Sequence, residues 1–293
     1  MLLTIITPTY NRVDTLPRLV ESLKSQTCLD FEWVVIDDGS SDGTGKFFEN
    51  VGVPFKFSYV YKQNGGKHTA LNYSHRFISG DLVCIVDSDD WLSPDAVETI
   101  LSDWVSHAVG NLQIGQLSYL KKDITHRYAD LQFPAGYYLS DHITYRINQG
   151  IKNDCFEVTR TDLFKSLSFP EFDGERHMGE AWLWVNFAES GWRTIYINNE
   201  IYLSEYLPDG LTKAGKKILL LSPKGAQEHA RVLLNKKICM KRRVKEALNY
   251  TCYGHINGES AASLAKRCES PLLSLLAYPF GTILSVAWKR KYL

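Results

Sequence analysis

The sequence has no CxxC pair and no Cys/His spacing suited to zinc, although six cysteines are scattered at positions 28, 84, 155, 239, 252 and 268. A zinc-organised fold is therefore not expected, and cysteines so placed point to a reducing compartment. There is no internal repeat and no low-complexity segment, which excludes solenoids and biased linkers. No basic region precedes the short apolar run Leu2–Ile6, which ends at Thr7-Pro8, so a secretory leader is not expected and the chain is placed in the cytosol. Net charge is also missing, with 33 basic residues against 33 acidic. At 44% hydrophobic, 23% charged and 12% aromatic residues, the composition excludes a disordered chain, a fibrous protein and a multi-span membrane protein. A chain of 293 residues buries roughly 75% of its unfolded surface, so a full core forms without staples.

The two signs of charge are unevenly spread. Residues 1–100 carry 14 Asp/Glu and 8 Lys/Arg, a balance of −6, while residues 213–245 carry 11 Lys/Arg and one acid, a balance of +10. That asymmetry implies an acidic site toward one end of the chain and a basic contact surface toward the other.

The first hundred residues alternate between strand-like and helix-like runs, the pattern of a parallel sheet with helices on its faces. Strands are expected at Leu2–Thr7, Glu32–Ile36, Phe57–Tyr61 and Leu82–Val86, and helices at Asp14–Ser25 and Lys67–Ile78. A further helix is expected to start at Pro94 with Ser93 as its cap. From 110 to 205 the pattern is looser, with a strand near Gln113–Leu120, a helix near Glu180–Glu189 and a strand at Thr194–Ile197. After Pro208-Asp209-Gly210 the composition turns to basic helix, which divides the chain into 1–207 and a helical extension, 208–293.

Ligands of open α/β sheets bind at the carboxyl ends of strands, so Thr7, Asp37/Asp38 and Asp87/Asp89 should converge. Asp87-Ser88-Asp89-Asp90 crowds carboxylates that repel unless a cation sits among them. Hard oxygen ligands suit Mg²⁺ or Mn²⁺, which would neutralise a leaving diphosphate; the alternative is a solvated acidic turn. Asp37 to Thr44 reads either as a turn leaving a strand or as a carboxylate edge for the imide N–H of a uracil. Asn64-Gly65-Gly66-Lys67 lacks Walker spacing, yet its glycines and Lys67 suit phosphate oxygens at a helix start; a flexible loop is the plainer reading. Glu180 is either a helix N-terminal charge or a general base between Trp182 and Trp184.

Taken in order, Thr7-Pro-Thr-Tyr-Asn-Arg12, Val35-Ile-Asp-Asp-Gly-Ser-Ser-Asp-Gly-Thr44, Gly65-Gly-Lys-His68 and Val86-Asp-Ser-Asp-Asp90 resemble the family 2 glycosyltransferases of bacterial surface-polysaccharide type over about residues 2–205. The resemblance implies an α/β GT-A fold, Rossmann-like, with a mostly parallel sheet flanked by helices. It divides residues 1–207 into a nucleotide-sugar half, 1–110, and an acceptor half, 111–207. It implies a UDP-sugar donor, Mn²⁺ or Mg²⁺ as cofactor, and inversion by direct displacement. Thr7, Pro8, Tyr10, Arg12, Asp38, Lys67, Asp87 and Ser88 fall at nucleotide-sugar positions, with Thr7 and Asp38 toward the uracil. Asp87 and Asp89 match the metal-binding DxD motif, Asp89 as the direct ligand and Asp90 as a neighbour able to substitute. Glu180 matches the catalytic base; relatives often carry Glu-Asp here, this chain has Gly179-Glu180-Ala181, and Glu175 competes. Asp154 and Trp182 fall toward the acceptor; Trp182, Trp184, Trp192, Tyr202 and Tyr206 offer sugar-stacking faces, though most of these aromatic residues are expected in the core.

Lys236-Lys237 and Lys241-Arg242-Arg243-x-Lys245 form a basic cluster on an expected helix, and Ser270–Trp288 carries no charge over nineteen residues. With Pro279 and Gly281 interrupting it, that segment reads as an interfacial helix rather than a span. An anionic membrane surface fits the cluster better than nucleic acid, which is not expected as a partner. The enzyme is thus expected at the inner face of the cytoplasmic membrane, acting on a saccharide acceptor carried on lipid. The competing readings are a non-catalytic nucleotide-sugar or glycan-binding module on the same fold and a nucleotidyltransferase. The latter normally shows a Gly-rich basic loop after the first strand, where this chain has Pro8-Thr9-Tyr10-Asn11.

Overall fold

The computed structural model describes residues 1–293 apart from 126–131, 135, 152–153 and 206–210, and for 211–214 it describes the backbone alone. The chain forms two compact units, one of residues 1–140, 152–168 and 191–207, the other of 141–151, 169–190 and 208–293. The units therefore interleave, whereas the composition placed a single division at 207/208. The Pro208-Asp209-Gly210 segment proposed as that boundary lies outside the described residues, as does Tyr206.

Among the described residues the first unit has nine strands: β1 (Leu3–Thr9), β2 (Phe31–Asp37), β3 (Lys56–Tyr61), β4 (Leu82–Ile85), β5 (Trp91–Leu92), β6 (Ile114–Asp123), β7 (Tyr137–Ser140), β8 (Cys155–Arg160) and β9 (Arg193–Ser204). Their order is β3-β2-β1-β4-β8-β6-β9-β5, with β7 also on β9. The parallel pairing expected from the first hundred residues holds through β3-β2-β1-β4. Beyond β4 the sheet becomes mixed, because β8 runs antiparallel to both β4 and β6.

Every residue of β1 and β2 is buried, as parallel strands covered on both faces require. Phe31, Trp33 and Val35 face one layer, where α1 (Leu16–Lys24), α2 (Thr44–Glu49) and α4 (Ala96–His107) supply Leu16, Leu19, Phe48 and Ile100. The alternate residues Val34 and Ile36 face Ala70 of α3 (Lys67–Ser74). The short α5 (Thr161–Ser166) follows β8. Helix α4 begins two residues later than expected, with Asp95 rather than Ser93 at its cap; the Ser93 hydroxyl instead donates to Asp95 Oδ1 at 2.6 Å.

The second unit is helical: a π-helical turn (His142–Ile147), then α6 (Ala181–Glu189), α7 (Leu211–Leu221), α8 (Pro223–Val232), α9 (Met240–Ile256), α10 (Ala261–Arg267) and α11 (Pro271–Tyr292). Its core joins Ala230, Leu234, Ala247, Tyr250, Leu264 and Ala277. Pro279 does not interrupt α11, which runs unbroken for 22 residues. Among the described residues, Cys28, Cys84, Cys239, Cys252 and Cys268 form no disulfide.

Candidate active site

The loops after β1, β2 and β3 are stitched together by short polar side chains. Asn11, at φ 50° in the left-handed region that Asn tolerates, accepts from Ser41 N at 2.8 Å, while its own N–H donates to Ser40 Oγ. Val13 N donates to Asp42 Oδ2 at 2.9 Å. At Gly39, with φ +89°, a Cβ would lie 2.8 Å from Asn64 N, so only glycine permits this approach of the second loop to the third.

Asp38 is the knot of this cradle. Its Oδ1 accepts from Lys62 Nζ at 2.6 Å and from Gly65 N at 2.9 Å, and its Oδ2 from Gly66 N at 2.6 Å. Its carboxylate thus shapes the Gly65-Gly66 turn that starts α3, and Oδ2, with one donor, keeps acceptor capacity. Among the described residues, Asn64 Oδ1 is enclosed without a hydrogen-bond partner. Asp37 accepts from Tyr59 Oη and Ser40 N, fixing the strand end. Thr7 is fully buried and accepts from Trp33 Nε1 at 2.9 Å, so its hydroxyl serves the core. Tyr10, by contrast, is exposed.

The acidic turn after β4 brings oxygens of Asp87, Asp89 and Asp90 within 4.8 Å of one another. Three cations balance it. Lys67 Nζ, on the first residue of α3, lies 2.5 Å from Asp87 Oδ1; Lys121 Nζ lies 2.8 Å from Asp90 Oδ2; Arg12 Nε lies 3.9 Å from Asp89. Partial burial raises the pKa of Asp87, but Lys67, Lys121 and Arg12 overcome it and hold that carboxyl below the usual range. Burial pushes Asp90 up to about 6 against the pull of Lys121, with Asp87 adding to the rise. Asp90 also accepts from Tyr202 Oη at 2.7 Å. Asp87 and Asp89 are each about a third exposed or less, at 33% and 27%, and open to the cradle's solvent side. Two hard carboxylates so placed fit a divalent cation.

The turn is anchored from behind. Thr15 Oγ1 donates to Ser88 O at 2.8 Å, and Arg18 donates to Asp89 O at 2.7 Å while its guanidinium stacks 3.8 Å over Trp91. Burial opposes the charge of Lys121, yet Asp90, Asp87 and Asp154 hold its pKa above the ordinary value, so Asp154 lies within the field of the acidic turn. Asp154 itself is exposed in the loop before β8. Sequence reasoning missed Lys62, Lys121 and Arg18; Tyr202 is buried against Phe156, in keeping with the core reading of these aromatic residues.

Glu180 belongs to the second unit, where it occupies the N-cap position of α6 and is half-buried. Its neighbour Gly179 is hemmed in by the ring of His229, and no side chain fits there. The competing Glu175 is spent: it accepts from Lys224 N at 2.9 Å and Gly225 N at 2.8 Å, holding the first turn of α8. Trp182, expected toward the acceptor, is instead a core residue, 7% exposed, packed on Phe169 and donating to Glu228. Trp184 is likewise buried, and Trp192 lies under the Arg160 guanidinium.

An α/β sheet with a carboxylate turn at the end of β4, a glycine turn leading into a helix, and basic groups at both is the arrangement of the GT-A fold. The family model described as "Glycosyl transferase family 2" matches residues 4–167, and the chain belongs to that family and is a glycosyltransferase. A Campylobacter jejuni relative, "GalNAc(5)-diNAcBac-PP-undecaprenol beta-1,3-glucosyltransferase", is 27% identical over 248 residues, covering 80% of this chain and 74% of its own. The chain spans only 11–16% of the length of three further curated relatives that it matches. Among solved structures, residues 1–349 of S. aureus TarS with UDP-GlcNAc share the fold at a TM-score of 0.66, with 17% identity over 99% of this chain and 92% of that one. The mannosyltransferase PcManGT of Pyrobaculum calidifontis, with GDP-Man and Mn²⁺, gives a TM-score of 0.58 and 18% identity over 99% of this chain and 82% of its own.

Proposed function

We propose that this chain is an inverting, metal-assisted glycosyltransferase that moves a sugar from a UDP-sugar to a hydroxyl of a saccharide carried on lipid. The observation that carries the reading is the acidic turn, with three carboxylates within 4.8 Å facing Lys67 at the start of α3. Asp89 and Asp87 would hold Mn²⁺ or Mg²⁺, and the ion supplies positive charge against the departing diphosphate. Lys67 and Arg12 add fixed positive charge where the phosphate oxygens lie. Asp38 Oδ2, with acceptor capacity to spare, suits the imide N–H of a uracil, and Pro8 and Tyr10 are assigned to the same nucleotide. Thr7 contributes from behind by fixing Trp33, and Ser88 through its place in the turn.

In the reaction, the acceptor oxygen bonds to the anomeric carbon as the bond to the β-phosphate oxygen breaks. Glu180 takes the hydroxyl proton, the role left to it because Glu175 is committed to α8. The UDP choice draws on TarS, seen with UDP-GlcNAc; the ion on PcManGT, seen with Mn²⁺; and the lipid-carried acceptor on the Campylobacter relative, named for a PP-undecaprenol compound. A lipid-carried acceptor would put the enzyme at a membrane surface, and the proposal extends to the inner face of the cytoplasmic membrane.

The test is donor hydrolysis, with purified protein, Mn²⁺ and a panel of UDP-, GDP- and dTDP-sugars scored for free nucleoside diphosphate. Metal-dependent release from a UDP-sugar is expected. Release from a GDP- or dTDP-sugar alone overturns the donor assignment, and neither release nor metal-dependent UDP binding overturns the catalytic reading in favour of a binding module.

A further inference from the structure

Helix α11 is amphipathic in the reverse of the usual sense. The face packed on the rest of its unit is made of small residues, Ser274, Ala277, Gly281 and Ser285, all buried. The face turned to solvent is made of large apolar ones: Leu272 is 69% exposed, Leu276 63%, Phe280 63% and Ile283 68%, with Leu275 and Val286 beside them. Their spacing of three and four residues draws one continuous stripe along a helix of 22 residues, about 33 Å long. Ordinary surface helices place such residues inward, and an exposed apolar stripe of this length marks a binding surface.

Charge says what binds there. Residues 271–293 contain no Asp or Glu. Helices α9 and α11 run side by side in the same direction: Arg243 donates to Ser270 Oγ, Gly281 abuts Thr251 and Cys252, and Tyr253 meets Trp288 at 5.9 Å between ring centroids. Exposed Lys241 and Lys245 of α9 therefore stand near the start of the stripe, and exposed Lys289, Arg290 and Lys291 at its end. Lys216 adds a further cation there, 3.7 Å from the Trp288 ring centroid. An apolar stripe with basic residues at both ends matches an anionic lipid interface, where the stripe enters the acyl boundary and the cations meet headgroups.

We propose that α11 docks the protein on an anionic lipid surface through the stripe from Leu272 to Val286, lying in the interface plane. By length and hydropathy α11 alone would suffice to cross a bilayer. Its packing forbids this, because Gly281 is seated against the backbone of α9, and crossing would take the charged Arg242, Arg243 and Glu246 into hydrocarbon. The inference deepens the membrane-side location proposed above by naming the surface responsible, and it stands apart from the choice of donor.

The experiment is sedimentation of the full chain with vesicles of phosphatidylcholine alone and of phosphatidylcholine with phosphatidylglycerol. Binding to the anionic vesicles is expected, weakened at least tenfold by Ile283→Glu or Phe280→Glu and by raised salt. The thermal midpoint should stay unchanged, since both positions face solvent; Leu272→Gln serves as a second, milder variant should either charge disturb folding. Absence of binding to anionic vesicles, or equal binding by the stripe variants, overturns the proposal. So does self-association in solution that the same variants abolish without vesicle binding, which would make a second copy of the chain the occupant. Donor hydrolysis is measured on the same samples, so that a failed donor assignment and a failed docking surface are read separately.

Discussion

Lys67 and Asp87 join the first turn of α3 to the end of β4 through a contact of 2.5 Å between Nζ and Oδ1. The lysine stands where the glycine turn ends, so one side chain links the cradle held by Asp38 to the acidic turn. Removing it should weaken the donor's hold on both. Lys67→Met is expected to lower kcat/KM for the donor by about 10–100-fold, the range of a hydrogen bond to a charged group, as read by initial rates at varied donor concentration.

Asp89→Asn should remove metal-dependent turnover by at least about 100-fold while leaving the thermal midpoint within about a degree. The reason is that the Asp89 side chain pairs with Arg12 at 3.9 Å, and such partly exposed pairs stabilise little. Chelation of the wild-type protein should reproduce the loss, and added Mn²⁺ should reverse it in the wild type but not in the variant. Unchanged turnover after exhaustive chelation would disprove the cation's role.

The two glutamates of the 175–180 segment should separate cleanly. Glu180→Gln is expected to lower kcat by about 10²–10⁴-fold with little change in stability. Glu175→Gln should do the reverse, costing about 1 kcal/mol of stability because it weakens the hold on two backbone N–H groups of α8. Paired kcat and thermal-midpoint measurements decide it.

Lys121→Met should destabilise the fold by about 3 kcal/mol near pH 7.5, because it leaves the nearly buried Asp90 charged and unpaired. The carboxyl of Asp90 already sits up at about 6, and without Lys121 it moves higher. A raised carboxyl pKa contributes stability at low pH that is lost as pH rises through it. The penalty should therefore shrink markedly at pH 5, which denaturant midpoints at the two pH values would show.

Glu32 supplies the opposite pH signature. It is buried between Thr4, Ser79 and Lys56; burial raises its pKa, but those hydrogen bonds win and bring it down to about 2. Its contribution, about 2–3 kcal/mol at neutral pH, is present above about 4.5 and lost as pH falls toward 2. Glu32→Gln should thus flatten the acid limb of the stability profile without changing donor turnover.

The first hundred residues were legible because each strand is a buried run closed by a polar turn, and buried parallel strands leave little ambiguity. Asp87, Asp89, Lys67 and Asp38 could be singled out for the same reason: they stand at those closures. What escaped was long-range. Lys121 and Tyr202 reach the acidic turn from β6 and β9, 31 and 112 residues from Asp90, and nothing local marks a lysine in a strand as a counter-ion. Arg18 carries no local mark that sets it apart in the sequence of α1, yet it holds the Asp89 carbonyl. Trp182 was misjudged because aromatic residues near a carboxylate read alike whether they line a pocket or fill a core. Pro279 was taken as a breaker, but the packing of α11 on α9 overrides local propensity.

The interleaving of the two units sets the order in which the molecule can be completed as it leaves the ribosome. Three segments from each unit alternate, so the chain passes between them five times. The sheet lacks its β9 partner for β5, β6 and β7 until residue 204 has emerged, and residues 141–151 and 169–190 wait for helices that come only after residue 208. Neither unit can be cut out as a contiguous piece. A chain stopped near residue 207 would carry two orphaned segments, one of them holding Glu180, with their apolar faces in water.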